Sequence, residues 1–403
     1  LELLAPSSNG LEKRPKLRFP GFDEPWEHKE LLHYLVENTD RNKQLKFGKE
    51  NVLSVSGEYG IVNQIAFQGR SFAGESVADY HVVETDDIVY TKSPLKANPY
   101  GIIKVNKGVP GIVSTLYAVY HPLNTVVPRF VDFYFSNDLR LNKFLKPLVN
   151  IGAKHDMKVN NTFVLTGTVV FPPLREQQKI VDFLTILDRR IDVQRKKVEA
   201  LKKYKRGVVS AILSHRIVFS DADGKPYPEW TSCTLQDAVV FLDGQRKPLE
   251  SADRARRQGK YPYYGASGII DYIDDYIFDE PLLLLGEDGA NIINRSTPLC
   301  FIATGKYWVN NHAHVMRPQN GHNIKFLCEL LESLDYTRYN TGTAQPKLNQ
   351  EKCRGIELNL PIYEEQCRIA DFLSSLDQKA EREQANLDCL LLFKRGLMQQ
   401  LFI

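Results

Sequence analysis

The first half of this 403-residue chain has no cysteine. All six (Cys233, Cys300, Cys328, Cys353, Cys367 and Cys389) lie in the second half, and none is spaced C-x-x-C. A disulfide framework would not be confined to one half of a large chain, so the thiols read as free, in a reducing cytoplasm. The same spacing gives no paired ligands for zinc. Long apolar runs are missing too. Ala238–Leu242 is typical, far short of the roughly 20 apolar residues of a membrane span. No basic stretch followed by an apolar one opens the chain, so no signal peptide is read. The LELLAPSSNG start, without methionine, looks like a processed or appended end. Also missing are a G-x-x-x-x-G-K-[ST] phosphate loop, an H-E-x-x-H metal helix and a G-x-S-x-G nucleophile turn. Asp156–Lys158 and Asp377–Lys379 give Asp-x-Lys without the partner acids of a metal-dependent nuclease. Charge of one sign is scarce: 52 Lys and Arg face 49 Asp and Glu, a net of +3, so any nucleic-acid binding depends on where the charge lies.

What is present is a folded composition, 43% apolar and 25% charged, and a length for two or three domains of about 150 residues. Above all there is an internal repeat. Residues 172–214 and 361–403 align without gaps at an offset of 189, with thirteen of 43 positions identical, including Glu176/Glu365, Gln177/Gln366, Asp188/Asp377 and Lys205/Lys394. Proline in the first turn followed by Glu-Gln is a helix start. Apolar residues then recur in steps of four and three: Ile180, Leu184, Leu187, Ile191, Val198, Leu201, Val208 and Ile212, then Ile369, Leu373, Leu376, Ala380, Leu387, Leu390, Leu397 and Leu401. This is a heptad seam, interrupted at Gln194/Glu383 and Lys205/Lys394, and two helices with matched seams and matched interruptions should pair with each other. The alternative is that each packs on its own domain. At 1.5 Å per residue, 43 residues make a rod of about 64 Å.

The segments before the helices also correspond: Trp26 with Trp230, Leu31 with Leu235, Gly60 with Gly268, and LYAVYHP (116–122) with HAHVMRP (312–318). They read as short strands with turns and a few helices, such as 131–145 and 324–334. The fold class is therefore α+β: two pseudo-repeated, strand-rich domains separated and joined by two long helices. The expected division is a tail (1–17), a first domain (18–171), a central helix (172–214), a linker with the second domain (215–360) and a C-terminal helix (361–403).

Charge and loops carry the remaining signal. Residues 189–206 hold nine Lys and Arg against two acids, local +7, whereas 378–395 stand at +1. A basic rod can track phosphates; the same run also suits a solvated coiled-coil face. Polar, glycine-containing loops combine Lys and Arg for phosphates, Asn and Gln for base edges, and aromatics for packing. Their candidate DNA-binding residues are Ser54, Ser56, Arg70, Lys92, Ser93, Lys96, Lys154 and His155 in the first domain. In the second they are Gln245, Arg246, Lys247, Tyr263, Tyr264, Ser267, Asn291, Asn310, Asn311, His312, His314, Thr343, Gln345 and Lys347. His312 and His314 straddle Ala313 and should share one face of a strand; polar contacts suit them better than a metal. Asn98-Pro99-Tyr100 is similar to the N/D-P-P-Y/F motif of amino-methyltransferases but lacks the second proline, and no glycine-rich cofactor loop precedes it.

The two copies of P-x-x-x-E-Q-x-x-I-x-D-F-L-x-x-L-D…L…K-R-G, the FPGF…PWE and PYPEW openings and the TGTAQPKLN junction resemble the DNA specificity subunit of type I restriction–modification enzymes, over about residues 18 to 403. The first junction departs, reading IGAKHDMKVN. The resemblance implies that each domain is a target recognition domain reading half of a bipartite, asymmetric DNA sequence, and that the helices form an antiparallel coiled coil that sets the spacer. It implies a non-catalytic chain that docks two methyltransferase (modification) subunits and recruits restriction subunits. S-adenosylmethionine, ATP and Mg²⁺ would serve those partners, with none bound here and no metal site. Coiled-coil and partner-docking residues would be Glu176, Gln177, Ile180, Phe183, Leu184, Leu187, Ile191, Leu201, Glu365, Gln366, Ile369, Phe372, Leu373, Leu376, Leu387 and Leu390. A fused adenine methyltransferase, or a coiled-coil scaffold without DNA readout, are the competing readings.

Overall fold

The computed structural model describes residues 5–6, 14–151, 157–342 and 345–403. Two compact units divide the chain: Leu1–Gln194 with Asn386–Ile403, and Arg195–Ala385. These are not the linear segments of the sequence, because each unit takes part of both long helices.

In the first unit the strands are β1 (Glu27–Glu30), β2 (Leu35–Glu37), β3 (Leu53–Ser56), β4 (Gly60–Asn63), β5 (His81–Val83), β6 (Ile88–Thr91), β7 (Ile103–Val105), β8 (Gly111–Val113), β9 (Tyr117–Pro122) and β10 (Thr168–Phe171). A four-stranded antiparallel sheet runs β2-β9-β6-β7, and β1 pairs with β10. The β3–β4 hairpin joins the β5–β8 pair through a parallel bridge, Val52 to Ile112. Residues 131–145 were expected as one helix and form two, α1 (Pro128–Tyr134) and α2 (Asp138–Leu145). The Asn137 side chain accepts from the Arg140 amide and starts the second helix afresh. A single turn, α3 (Asn161–Val164), follows, and then the long helix α4 (Leu174–Leu213).

The second unit repeats this plan with β11 (Thr231–Thr234), β12 (Val239–Phe241), β13 (Gln258–Gly265), β14 (Gly268–Ile273), β15 (Phe278–Asp279), β16 (Leu282–Gly286), β17 (Cys300–Ala303), β18 (Lys306–Val309), β19 (Ala313–Pro318) and β20 (Glu357–Leu360). The sheet β12-β19-β16-β17 is the counterpart of β2-β9-β6-β7, and β11 pairs with β20 as β1 does with β10. The hairpin β13–β14 again joins its neighbour, β18, in parallel, here as a full strand pair. Leu282 to Leu285 are all buried because β16 is central and covered on both faces. Period-two alternation sends Leu283 and Leu285 to Phe326, Leu327 and Leu331 of α5 (Ile324–Ser333), and Leu282 and Leu284 to Tyr307, Val309 and Val315. Helices α6 (Gln350–Arg354) and α7 (Tyr363–Gln400) close the chain.

The seam pairs as its matched interruptions require. In the second unit Lys205 of α4 meets Asp377 of α7 at 2.6 Å and Lys197 meets Glu383 at 2.7 Å, so the partner number falls as the helix advances and the pairing is antiparallel. In the first unit Lys394 of α7 meets Asp188 of α4 at 2.5 Å, the same pair with the copies exchanged. Ile180, Leu184 and Ile191 of α4 and Leu387, Leu397 and Leu401 in the other copy are buried in the first unit; Val198, Val208, Ile212, Ile369 and Leu373 are buried in the second. Leu201, Leu376 and Leu390 are half-buried. All six cysteines are free, and among the described residues no helix is long and apolar enough to cross a membrane.

Candidate nucleic-acid interface

Glu176, Gln177 and Gln366 of the repeated Glu-Gln pairs face inward and form no docking surface. Glu176 is fully buried and takes two charge-assisted hydrogen bonds from Arg18, at 2.8 Å from Nε and 2.7 Å from Nη2. Gln177 donates to the Pro172 carbonyl (2.9 Å) and accepts from the Val127 amide (3.0 Å). Gln366 repeats this with Pro361 (2.8 Å) and Asn323 (2.9 Å). These side chains satisfy backbone groups at helix starts and strand ends, pinning each long helix to its own domain. Phe183 and Phe372 likewise meet Phe19 and Phe219 edge-on, at 5.6 and 5.8 Å.

With the frame fixed, the candidate residues separate into exposed and internal ones. In the first unit Ser54 accepts from Gln64 Nε2 (3.1 Å), and Ser56 accepts from the amides of Glu58 and Tyr59, shaping the hairpin turn. Arg70 lies 4.6 Å over the exposed Phe72 ring, and the exposed rings of Tyr59 and Phe67 sit 5.3 Å apart. Tyr59, Phe67 and Phe72 were not singled out from sequence, since lone aromatics in a polar loop look like turn composition. Ser93 and Lys96 are exposed; Lys154 and His155 lie outside the described residues. Lys92 donates to Asn161 Oδ1 at 3.2 Å, and burial, then Arg41, lower its pKa. Beside it His81 is buried without a partner on either ring nitrogen among the described residues, and burial, Arg41 and Lys92 push its pKa down to about 4. Three basic groups thus converge with Glu37 as the acid among them, and Glu37 is already engaged by Asn161 and Thr162 at 2.8 Å each.

Strand register places Glu287 of the second unit where Lys92 stands in the first. Arg246 reaches Glu287 at 2.8 Å and also donates to the Ala313 carbonyl, and Lys347 approaches Glu287 at 3.4 Å. His314 does not share a face with His312. It is buried, with Nδ1 on Asp243 (2.7 Å) and Nε2 on the Leu348 carbonyl (2.8 Å), so both nitrogens donate and the ring is an imidazolium. Burial alone would lower its pKa; the hydrogen bonds and charges of Asp243 and Cys353 outweigh that and push it up to about 10. His312 is exposed, on Asp288 at 2.7 Å. It precedes the strand, so alternation does not tie it to His314.

Tyr263 is buried and accepts from the Leu249 amide; Tyr264 is half-buried. Asn291 clasps the Thr297 backbone at 2.9 and 3.0 Å, and buried Asn310 accepts from the His312 amide at 2.8 Å. Arg246, Tyr263, Asn291, Asn310 and His314 therefore hold the fold together, which polar loop composition could not reveal. Gln245, Lys247, Ser267, Asn311, His312, Gln345 and Lys347 remain at the surface, while Thr343 lies outside the described residues. Asn98 is buried and donates to Asp138 at 2.9 Å, a loop-to-helix tie. On α4, Lys197 and Lys205 are taken up by ion pairs, while Lys196, Lys202, Lys203 and Arg206 are exposed.

The family described as type I restriction modification DNA specificity domain matches residues 37–203 and 227–389. A putative type I restriction enzyme specificity subunit of Haemophilus influenzae is 32% identical over 149 residues, 37% of each chain. The specificity subunit of the Escherichia coli type I enzyme EcoprrI is 30% identical over 145 residues, 36% of this chain and 35% of that one. The chain thus spans just over a third of the length of these two relatives. The specificity subunit of the type I enzyme MjaVIII of Methanocaldococcus jannaschii is 24% identical over 73% of this chain and 74% of its own. In fold, the crystal structure of a type I restriction–modification S subunit from M. genitalium superposes with a TM-score of 0.58 at 15% identity, covering 97% of this chain and 99% of that one.

Proposed function

The chain belongs to the type I restriction modification DNA specificity domain family, and from that premise we propose that it is the DNA-recognition subunit of a type I restriction–modification complex. Each strand-rich domain reads one half of a bipartite target. The antiparallel helices set the length of the indifferent spacer and carry the surface on which methyltransferase subunits dock. Methyl transfer with S-adenosylmethionine, and ATP- and Mg²⁺-dependent restriction, belong to the partners.

The observation that carries the DNA reading is the grouping of Arg41, His81 and Lys92. Burial, then the charges of Arg41 and Lys92, keep His81 neutral, and burial, then Arg41, lower the Lys92 pKa, so two cations stand beside a neutral imidazole with little acid among them, an arrangement suited to a phosphate. The first domain also exposes Arg70, Ser93 and Lys96, suited to backbone and base contacts. In the second domain Gln245, Lys247, Asn311, His312 and Gln345 are the exposed donors and acceptors suited to base edges. Footprinting of the chain assembled with its methyltransferase subunits should show two short specific blocks about a helical turn apart. Arg41→Ala with Lys92→Ala should weaken one block and spare the other. One continuous block, or equal weakening of both, would overturn the assignment.

A further inference from the structure

The two copies of the Glu-Gln motif are served differently. In the first unit Arg18, next to Phe19, fills the space beside Glu176. Phe19 packs on Phe183 and Phe219 on Phe372, and Phe183 and Phe372 are equivalent at the offset of 189. Val218 therefore stands where Arg18 would. Glu365, the counterpart of Glu176, is only 4% exposed, yet its Oε2 has no hydrogen-bond partner among the described residues. A cavity of about 390 Å³ opens beside it, lined by His215, Val218, Tyr227, Glu229, Trp230 and Glu365 among others. Burial holds the Glu365 pKa above the ordinary value, with the Trp230 indole as its hydrogen-bond donor.

We propose that this cavity is a guanidinium socket that receives an arginine from a protein partner, supplying in trans what Arg18 supplies within the first unit. The free carboxylate oxygen asks for a donor, and a second carboxylate, Glu229, lies at the wall. Two acids face one imidazole, His215, in the cavity, a balance that disfavours phosphate, so the proposed occupant is not DNA. The space vacated is that of a forked, planar group, which a lysine ammonium does not reproduce. The walls are aromatic as well as acidic: Trp230 and Tyr227 line the cavity, and a guanidinium packs well against such rings. The socket itself needs no DNA role for the chain; the identity of the partner as the methyltransferase subunit rests on the proposed function.

The full chain labelled with 5-fluorotryptophan should give three fluorine resonances, from Trp26, Trp230 and Trp308, with Trp230 assigned by Trp230→Phe. Ethylguanidinium should shift the Trp230 resonance saturably, and ethylammonium at equal ionic strength should shift it at least fivefold less. Glu365→Gln should abolish the response. Val218→Arg should abolish it too, with the resonance already displaced in the absence of added ligand. An equal response to ethylammonium, or a response surviving both variants, would overturn the socket. On adding the methyltransferase subunit without DNA, the Trp230 resonance should move in the direction set by Val218→Arg, and that variant should assemble at least tenfold more weakly. No movement together with unweakened assembly would overturn the partner while leaving the ethylguanidinium result to judge the socket and the footprint to judge DNA reading.

Discussion

The two units share one frame and balance their charges in opposite ways. In the first, the sheet ends on Arg41 and Lys92 beside a neutral His81, with Glu37 as the acid among them, while the start of its long helix is closed internally by Arg18 and Glu176. In the second, the sheet end is compensated by the Glu287–Arg246 and Asp243–His314 pairs, while the helix start leaves a carboxylate oxygen without a partner. The frame that a duplication copied is thus indifferent to charge. The places where each unit leaves a charge unmet are the places proposed for a partner.

The sharpest way to break this comparison is at the helix starts. Glu176→Ala strands a buried guanidinium and should cost about 3–5 kcal/mol. Glu365→Ala removes an acid whose chief donor is one indole and should cost about 1 kcal/mol. Calorimetry of each variant measures both, and equal losses would abolish the distinction. Next is Asp243→Asn, which removes the partner of a buried imidazolium and should cost about 3 kcal/mol at neutral pH, measured by urea unfolding. The pH dependence separates the units. His314, raised to about 10, stabilises the second unit below its ordinary pKa of 6.5, and that stability should fade as pH climbs from about 7 to 10. His81, lowered to about 4, must stay neutral, so the first unit should weaken as pH drops from about 6.5 to 4. Hydrogen exchange across both ranges tests it.

A smaller effect is expected at the sheet ends. Lys92→Ala should weaken DNA binding by the complex across all sequences and reduce the salt slope by about 1. Glu287→Ala, which removes the acid facing Lys347 while Arg246 keeps the Ala313 carbonyl and Asp243, should strengthen binding or leave it unchanged. Smallest is the reciprocal helix pair. Lys205 serves two carboxylates, Asp377 and Glu329, and Lys394 serves Asp188. Lys205→Met should therefore cost more than Lys394→Met, with the latter under about 1 kcal/mol because the pair is part-exposed.

Much of this architecture was legible in the sequence because it is periodic or repeated. The seam positions Ile180, Leu184, Ile369 and Leu373 are buried as their spacing requires, and the polar interruption at Lys205/Lys394 becomes a pair of bridges. Their partners, Asp188 and Asp377, could not be read until the antiparallel register was known, since an ion pair between copies has no local signature. The binding surface was far less legible. Asn291, Asn310 and His314 sit in segments whose composition suits DNA contact, yet each closes a backbone group or a buried carboxylate. His81, which carries the basic cluster, lies in a plain strand with nothing to mark it. Whether a polar side chain faces inward is decided by the register of strands distant in sequence.

The division of the helices has a consequence for synthesis. The second unit is contiguous, Arg195–Ala385, whereas the first needs Asn386–Ile403, and Phe402 packs against Trp26 and Phe130. On the ribosome, where N-terminal domains ordinarily fold first, the first unit would gain little head start: Asn386–Ile403, and with them the Phe402 cover of Trp26 and Phe130, are made only after the whole of the second unit.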